Sequence, residues 1–525
     1  MKKFLGLMVS IVLAVSLVGC VNSNTTQSTT KVTNTEIDLK SMAGEVIDLT
    51  FWHIFGETKE TALKTQVAEF QNYMKDKYDI SVTITPTSQS NYDTLLKNVN
   101  TNIAAGDPDN IPNIVIGYPD HFAQYLKAKV LVSLEPYINS SEYGVDLNDY
   151  IDAYMEENNQ FNNITYSVPF SKSGEILCYN KTLTDELGIK IPYDRALTWK
   201  ELIDICTEKK AIGYKGTSGY ANIQYLVNYD STSNLFINFS RQLNANYTTT
   251  KGELLITKDD STATMVSLIE NYIKNKYLSV PQNYLSSASY GSTYFQQQKM
   301  LFTIGSTAGV TYNIPSKLNP DNGINELFEA GMGWVPQFST DVNGNAATNS
   351  VVQQGPNICI LDAGTAEENL IAWLFIKYMT YQNQYVGVDA LKDTDGTLDG
   401  FLEGQNNSAR FALASGYFPV TKSGYNSTIY QDYVSIAKKY YEAGMSTEGF
   451  TKKEIADLPL SEVAYIGYLQ SSYYKYDPAF AATSSLLGSA SIRQEAGNLI
   501  VKVALDPSYD ASKAINEMYS ACILG

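Results

Sequence analysis

EVIDLTFW, Glu45 to Trp52, alternates and is rich in β-formers, the pattern of a strand. After the turn His53-Ile54-Phe55-Gly56 a helix runs from about Thr58 to Lys77, because Ala62, Leu63, Val67, Phe70 and Met74 recur at three- and four-residue steps and make one apolar face. Ile80 to Thr85 is the next strand, closed by Pro86. Tyr92, Leu95, Leu96, Val99 and Ile103 mark a second amphipathic helix, stopped by Gly106-Asp107-Pro108-Asp109. NIVIGY, Asn113 to Tyr118, is a short apolar strand of the kind that a parallel sheet covers on both faces. Strand, helix, strand, helix, strand is a doubly wound α/β lobe. Ligands in such sheets sit beyond the carboxyl ends of strands, here marked by Trp52, His53 and Glu57 after the first strand and Tyr118, Pro119 and Asp120 after the third.

Downstream, Ile164 to Phe170 and Gly174 to Asn180 read as strands around Ser171-Lys172-Ser173. Thr198-Trp199-Lys200-Glu201 opens a helix with a capping box, and Trp199 at its first turn reads as packing before ligand contact. Asp259 to Lys276 is another amphipathic helix. Met300 to Ile304, ending in Gly305-Ser306-Thr307, and Gly331 to Val335 are strands of a second lobe, while Asn357 to Leu361 leads back to the first. A second capping box stands at Thr365 to Glu368, and the tail from Gln431 onward is mostly helical.

At the other end, Met1-Lys2-Lys3 precedes an apolar run of about 15 residues, short of the roughly 20 that span a bilayer, so it reads as a secretory signal. Gly19 places cleavage before Cys20, and Val21 to Ser41 is too polar to bury a face and reads as a leash, with the folded part starting near Glu45. The remaining roughly 480 residues exceed what one hydrophobic core serves, so at least two lobes are expected. The net charge of -17 comes without any basic stripe and speaks against a nucleic-acid partner. Tyrosine is abundant, 39 of 525 residues, and its ring packs while its hydroxyl bonds at the tip. Cys178, Cys206, Cys359 and Cys522 contain no CxxC, so no structural zinc is expected; whether any pair bonds is left open.

Several segments, in this order and spacing, resemble the family 1 extracellular solute-binding proteins of bacterial ABC importers. They are LTFWHIFG in the first strand, AAGDPDNIPNIVIGYPDHFAQYLKAKVLVSLEPYI from Ala104 to Ile138, YSVPFSKSGEILCYNKTL from Tyr166 to Leu183 and LTWKELIDIC from Leu197 to Cys206. QQQKMLFTIGST from Gln296, VVQQGPNICI from Val351 and ALASGYFPVTKS from Ala412 follow. Leu17-Val18-Gly19-Cys20 likewise resembles the lipobox of bacterial lipoproteins, which implies a lipidated Cys20 and a protein tethered to the outer face of the membrane.

The resemblance implies an α/β type II periplasmic-binding-protein fold, two lobes joined by crossover strands around a ligand cleft. It divides the chain into 1–19 (signal), 20–43 (lipidated cysteine and linker), 44–167 with 354–410 (first lobe) and 168–353 with 411–525 (second lobe). The crossovers would be Val168 to Glu175, Gln353 to Asn357 and the region of Tyr417-Phe418-Pro419. By family position the carbohydrate contacts would be Trp52, His53, Glu57, Tyr118 and Asp120 from the first lobe, and Ser171, Ser173, Ser306, Thr307, Gln354 and Tyr417 from the second lobe and hinge. Gly305 and Gly355 would let backbone approach the ligand. His121 reads as a surface residue at a helix start.

The implied partners are a mono- or oligosaccharide and two permease subunits, for a monomeric, non-enzymatic protein without cofactor or metal. A glycerol phosphate is the other ligand class; it would favour arginine in the cleft, and the stretch Ala481 to Gln494 has only Arg493, at its far end. A polysaccharide hydrolase would need two carboxylates about 5 to 9 Å apart, and Glu57, Asp120 and Glu175 offer such a pair by composition alone. A lipid-anchored sensor is the third reading. Asp393 to Asp399 has the flavour of a calcium loop, but Gly396 stands at the fourth place rather than the sixth, so an Asp-Gly turn is expected.

Overall fold

The computed structural model describes residues 37–106, 108–159, 161, 163–249, 253–284, 291–391, 399–475, 489–506 and 508–524. The signal, Cys20, most of the leash and the Asp393 loop lie outside the described residues. The folded part begins before Glu45: a 3-10 turn, Leu39–Met42, buries both Leu39 and Met42. Two apolar residues three apart are enough to seat the last turn of the leash on the core.

The first sheet has the order β2-β1-β3-β11-β4. Its strands are β1 (Val46–His53), β2 (Ser81–Ser88), β3 (Ile114–Gly117), β4 (Ser167–Pro169) and β11 (Asn357–Ile360). Helices α1 (Glu57–Tyr78) and α2 (Tyr92–Ala105) connect β1, β2 and β3, which pair in parallel. α2 starts on the Asn91 side chain, which accepts from the Thr94 amide, and ends on Gly106 at φ +66°. Pro86 does not close β2 but lies inside it, opposite Phe51. β2 is the edge strand, so the missing amide costs the sheet nothing. The sheet is mixed rather than parallel throughout, because β11 runs antiparallel to both β3 and β4. A chain returning from the other sheet enters where β3 leaves, and this fixes its direction.

The second sheet has the order β7-β6-β8-β5-β9. It is built from β5 (Glu175–Asn180), β6 (Tyr225–Tyr229), β7 (Leu278–Ser279), β8 (Met300–Ser306) and β9 (Ala330–Gly333). β10 (Val351–Val352) pairs outside it with Tyr474–Lys475. Both expected capping boxes form, Thr198 with Glu201 and Thr365 with Glu368. Trp199 is buried against Phe239, Tyr272 and Phe338, a packing role. Cys178, Cys206, Cys359 and Cys522 are buried free thiols.

The two sheets are joined by three crossovers that touch one another. Residues 170–174 link β4 to β5, and residues 353–356 link β10 to β11. Ser173 and Gln354 exchange backbone hydrogen bonds of 2.9 and 2.8 Å, and the Phe418 amide donates to the Lys172 carbonyl at 2.6 Å. The expected border at residue 410 falls inside the helix Asn407–Ser415, whose Phe411 packs on Phe55 and Phe170 of the first sheet's side. The third passage therefore comes after that helix, at Tyr417-Phe418.

Candidate functional site: a cleft between two lobes

Beyond the carboxyl end of β1, the turn into α1 meets the second lobe around a cavity of about 330 Å³ lined by Ile54, Phe55, Gly56, Lys59, Tyr312 and Tyr417. Tyr417 is nearly buried, its ring 6.1 Å from Phe55, and the Lys59 ammonium stands 5.0 Å above it. The same ammonium crosses to the other lobe and donates to the Ala308 carbonyl at 2.9 Å. Burial lowers its pKa. Tyr312 forms the exposed rim, 59% accessible.

Near the crossovers stands a second group of polar and aromatic side chains. The Tyr118 hydroxyl, at the start of helix α3 (Pro119–Lys127), accepts from the Gly355 amide at 3.3 Å, and its ring leans on Tyr92 at 4.8 Å. Burial pushes the Tyr118 phenol up to about 12, with Glu157 adding to the rise and Arg493 opposing it. Arg493 comes from the helix Ser489–Leu505 and donates to Asn234 Oδ1 at 2.6 Å. Asn234 in turn donates to Glu175 Oε1 at 2.8 Å, and Asn238 and Tyr229 donate to Oε2. Burial raises the Glu175 carboxyl to about 7, against these donors.

The family-position residues fall into three groups. Tyr118, Ser171, Ser173, Ser306, Thr307, Gln354 and Tyr417 stand at or beside the crossovers, and of these Tyr417 also lines the cavity. Ser306 donates to Ser173 across a 3.4 Å gap between hydroxyls, and the Ser171 and Thr307 hydroxyls are buried with no hydrogen-bond partner in the protein. A buried hydroxyl without a partner is costly, and it is the type of group that a bound polar solute satisfies.

Others serve the scaffold. His53 is fully buried, stacked on Phe55 at 5.5 Å and edge-on to Phe51, and its Nδ1 accepts from the Phe55 amide at 3.0 Å. Burial pulls its pKa down to about 4. It faces the aromatic core rather than the cleft. Gly355, at φ +92°, would put a Cβ 2.1 Å from the Ser171 carbonyl oxygen, and at Gly305 a Cβ would stand 2.9 Å from Asp230 Oδ2. Gly355 thus admits the backbone of the first crossover and Gly305 the side chain of Asp230. His121 is not at the surface: it is buried against the rings of Tyr92 and Tyr118, with Asp120 beside it 4.0 Å away.

The third group lies apart from the cavity lining. Trp52 is half-buried on the sheet face opposite Phe51, and Asp120 sits in the first turn of α3, where a carboxylate suits the helix dipole. Glu57 opens α1, and its side chain lies outside the described residues. Lys59, Tyr92 and the buried Lys172–Glu157 pair are not among the candidate site residues read from the sequence, whereas Arg493 is named there as the one arginine of the stretch Ala481 to Gln494. Lys172 stands inside the quoted FSKS stretch, between Ser171 and Ser173.

Two α/β lobes, joined by three crossovers with a cleft between them, define the class of two-lobed ligand-capturing proteins. Residues 66–388 match the family model described as bacterial extracellular solute-binding protein, and the chain belongs to that family. It is similar to the sn-glycerol-3-phosphate-binding periplasmic protein UgpB of Escherichia coli K12, 22% identical over 428 residues, 80% of this chain and 84% of the relative. Its fold is that of UgpB from Mycobacterium tuberculosis, solved with glycerophosphocholine (TM-score 0.63, 16% identity, covering 91% of this chain and 98% of that one). The GacH receptor of Streptomyces glaucescens, solved with acarbose, is also similar (TM-score 0.58, 13% identity, 91% and 98%). Among the described residues no helix is long and apolar enough to cross a membrane, and no group of three or more His, Cys, Asp or Glu is placed to hold a metal.

Proposed function

We propose that the protein captures a carbohydrate between its lobes and delivers it to the permease of an ABC importer, acting as a non-enzymatic monomer held at the membrane by a lipidated Cys20. The observation that carries this reading is the interlobe cavity of about 330 Å³ with Phe55, Tyr312 and Tyr417 on its walls. Rings stack on the C–H faces of a sugar, while the spare hydroxyls of Ser171 and Thr307 and the side chain of Gln354 supply polar contacts. Tyr118, Ser173 and Ser306 extend that polar edge, and Trp52, Glu57 and Asp120 are the further first-lobe contacts of this reading.

A second reading, a glycerol phosphate or its diester, is favoured by Arg493. It donates to Asn234, which in turn donates to Glu175, and its positive charge opposes the rise of the Tyr118 phenol.

The test is the melting temperature of the protein from Ile37 onward against neutral mono- and oligosaccharides and glycerol phosphates. Ligand at 100 times its dissociation constant stabilises by about 2.7 kcal/mol. A shift with a sugar supports the first reading, a shift with glycerol phosphates alone the second, and oligosaccharide cleavage during incubation would sink both.

A further inference from the structure

We infer that Lys59 is a positioning residue that joins ligand to lobe closure: its ammonium ties the first lobe to the Ala308 carbonyl of the second and offers its other N–H groups to a polyhydroxylated ring seated in the cavity. This rests on the reading of the cavity as the ligand site.

Three observations converge on it. Lys59 lies in the first turn of α1, a 22-residue helix rooted in the first lobe, yet its Nζ is 2.9 Å from a carbonyl oxygen of the second. That acceptor belongs to the 3-10 helix Thr307–Asn313, which follows β8 directly and carries both Thr307, with its buried spare hydroxyl, and the rim residue Tyr312. Lys59 is also the one charged side chain among the described residues that line the cavity. An ammonium has three donors, and the Ala308 carbonyl takes one.

The remaining donors lie over the edge of a cavity whose walls are Phe55, Tyr417 and Tyr312. An occupant that satisfies them carries acceptor oxygens on an apolar-faced ring. When the lobes part, the ammonium loses the Ala308 carbonyl and the ring loses one wall, so each contact favours the other.

The experiment compares wild type, Lys59→Met and Lys59→Arg by titration calorimetry with neutral mono- and disaccharides and glycerol 3-phosphate, and by small-angle scattering without ligand. Circular dichroism checks that the variants are folded. Lys59→Met keeps the length of the stem and removes the donors; it is expected to bind the responding probe at least about tenfold more weakly and to show a larger unliganded radius of gyration. Lys59→Arg, which keeps a charged donor, is expected to recover most of both.

Equal affinity and equal radius in wild type and Lys59→Met would overturn the role of Lys59 while leaving the sugar-binding reading intact. If wild type binds no probe, the proposed function fails by itself. Equal radii would then still overturn the link that Lys59 makes between the lobes.

Discussion

Lys172 Nζ lies 2.6 Å from Glu157 Oε2, and both side chains are buried at the crossovers. The same carboxylate accepts from Gln353 at 2.9 Å and from Asn357 at 3.0 Å, while Lys172 also donates to the Gly355 carbonyl at 3.0 Å. Residues from two crossovers and from β11 thus meet on one carboxylate. Burial lowers the Lys172 pKa and Glu157 opposes that fall.

Removing one partner of such a pair strands the other charge. Lys172→Met is expected to destabilise the protein by about 3–5 kcal/mol in urea or thermal unfolding, and the double variant Lys172→Met/Glu157→Gln by clearly less. Equal losses in the two would show that the ion pair is not what holds the crossovers.

Gly355→Ala tests the contact of the first two crossovers. At φ +92° the residue is strained for any L side chain, and the Cβ would collide with the Ser171 carbonyl. A loss of about 2 kcal/mol or more is expected. Gly344→Ala is the control, since Gly344 has a similar φ of +82° but open space around its Cβ. A variant at Gly355 no worse than the control at Gly344 would contradict the collision.

Glu462 gives a pH signature. It is 1% exposed, accepts from the Tyr441 hydroxyl at 2.9 Å and from the Met332 amide, and burial raises its pKa to about 8. The native state therefore holds a proton that the unfolded chain has released. This contribution is full below the ordinary carboxyl range and is lost as pH rises through about 8. Glu462→Gln removes the titration, so between pH 5 and pH 9, roughly the span the shift covers, the variant should gain stability relative to wild type by a few kcal/mol. A constant difference across that range would refute the buried proton.

Arg493 separates the two ligand classes. Arg493→Gln is expected to weaken an anionic ligand by about 10- to 100-fold in calorimetry and a neutral sugar by less than about threefold. A large loss for a neutral sugar would place Arg493 among the sugar contacts.

Much of the first lobe was legible because its signals are local. The apolar stripe of α1, the Gly106 stop of α2 and the capping box at Thr365, like the one at Thr198 in the second lobe, each act within a few residues. The direction of β11 and the place of Pro86 depend on strand order, which no local pattern carries. Site residues divide in the same way. Ser171, Gln354 and Tyr417 stand in family motifs at the crossovers and fall together there. His121 reads as a surface residue and His53 as a ligand contact, and the surrounding rings of Phe51, Phe55, Tyr92 and Tyr118 bury both. Lys59 stands just past the LTFWHIFG motif and Arg493 on a helix far along the chain, and no local pattern announces their contacts with Ala308 and Asn234.

Tyr417 tests the central claim most directly. It lines the cavity and stands in the third crossover, next to Phe418, which pairs with Lys172. Titration calorimetry of wild type and Tyr417→Ala with the ligand that most raises the melting temperature should give one site per chain in wild type and at least about tenfold weaker binding in the variant. Equal binding by a folded Tyr417→Ala would mean that the solute sits elsewhere, and that the cavity between the lobes is not the capture site.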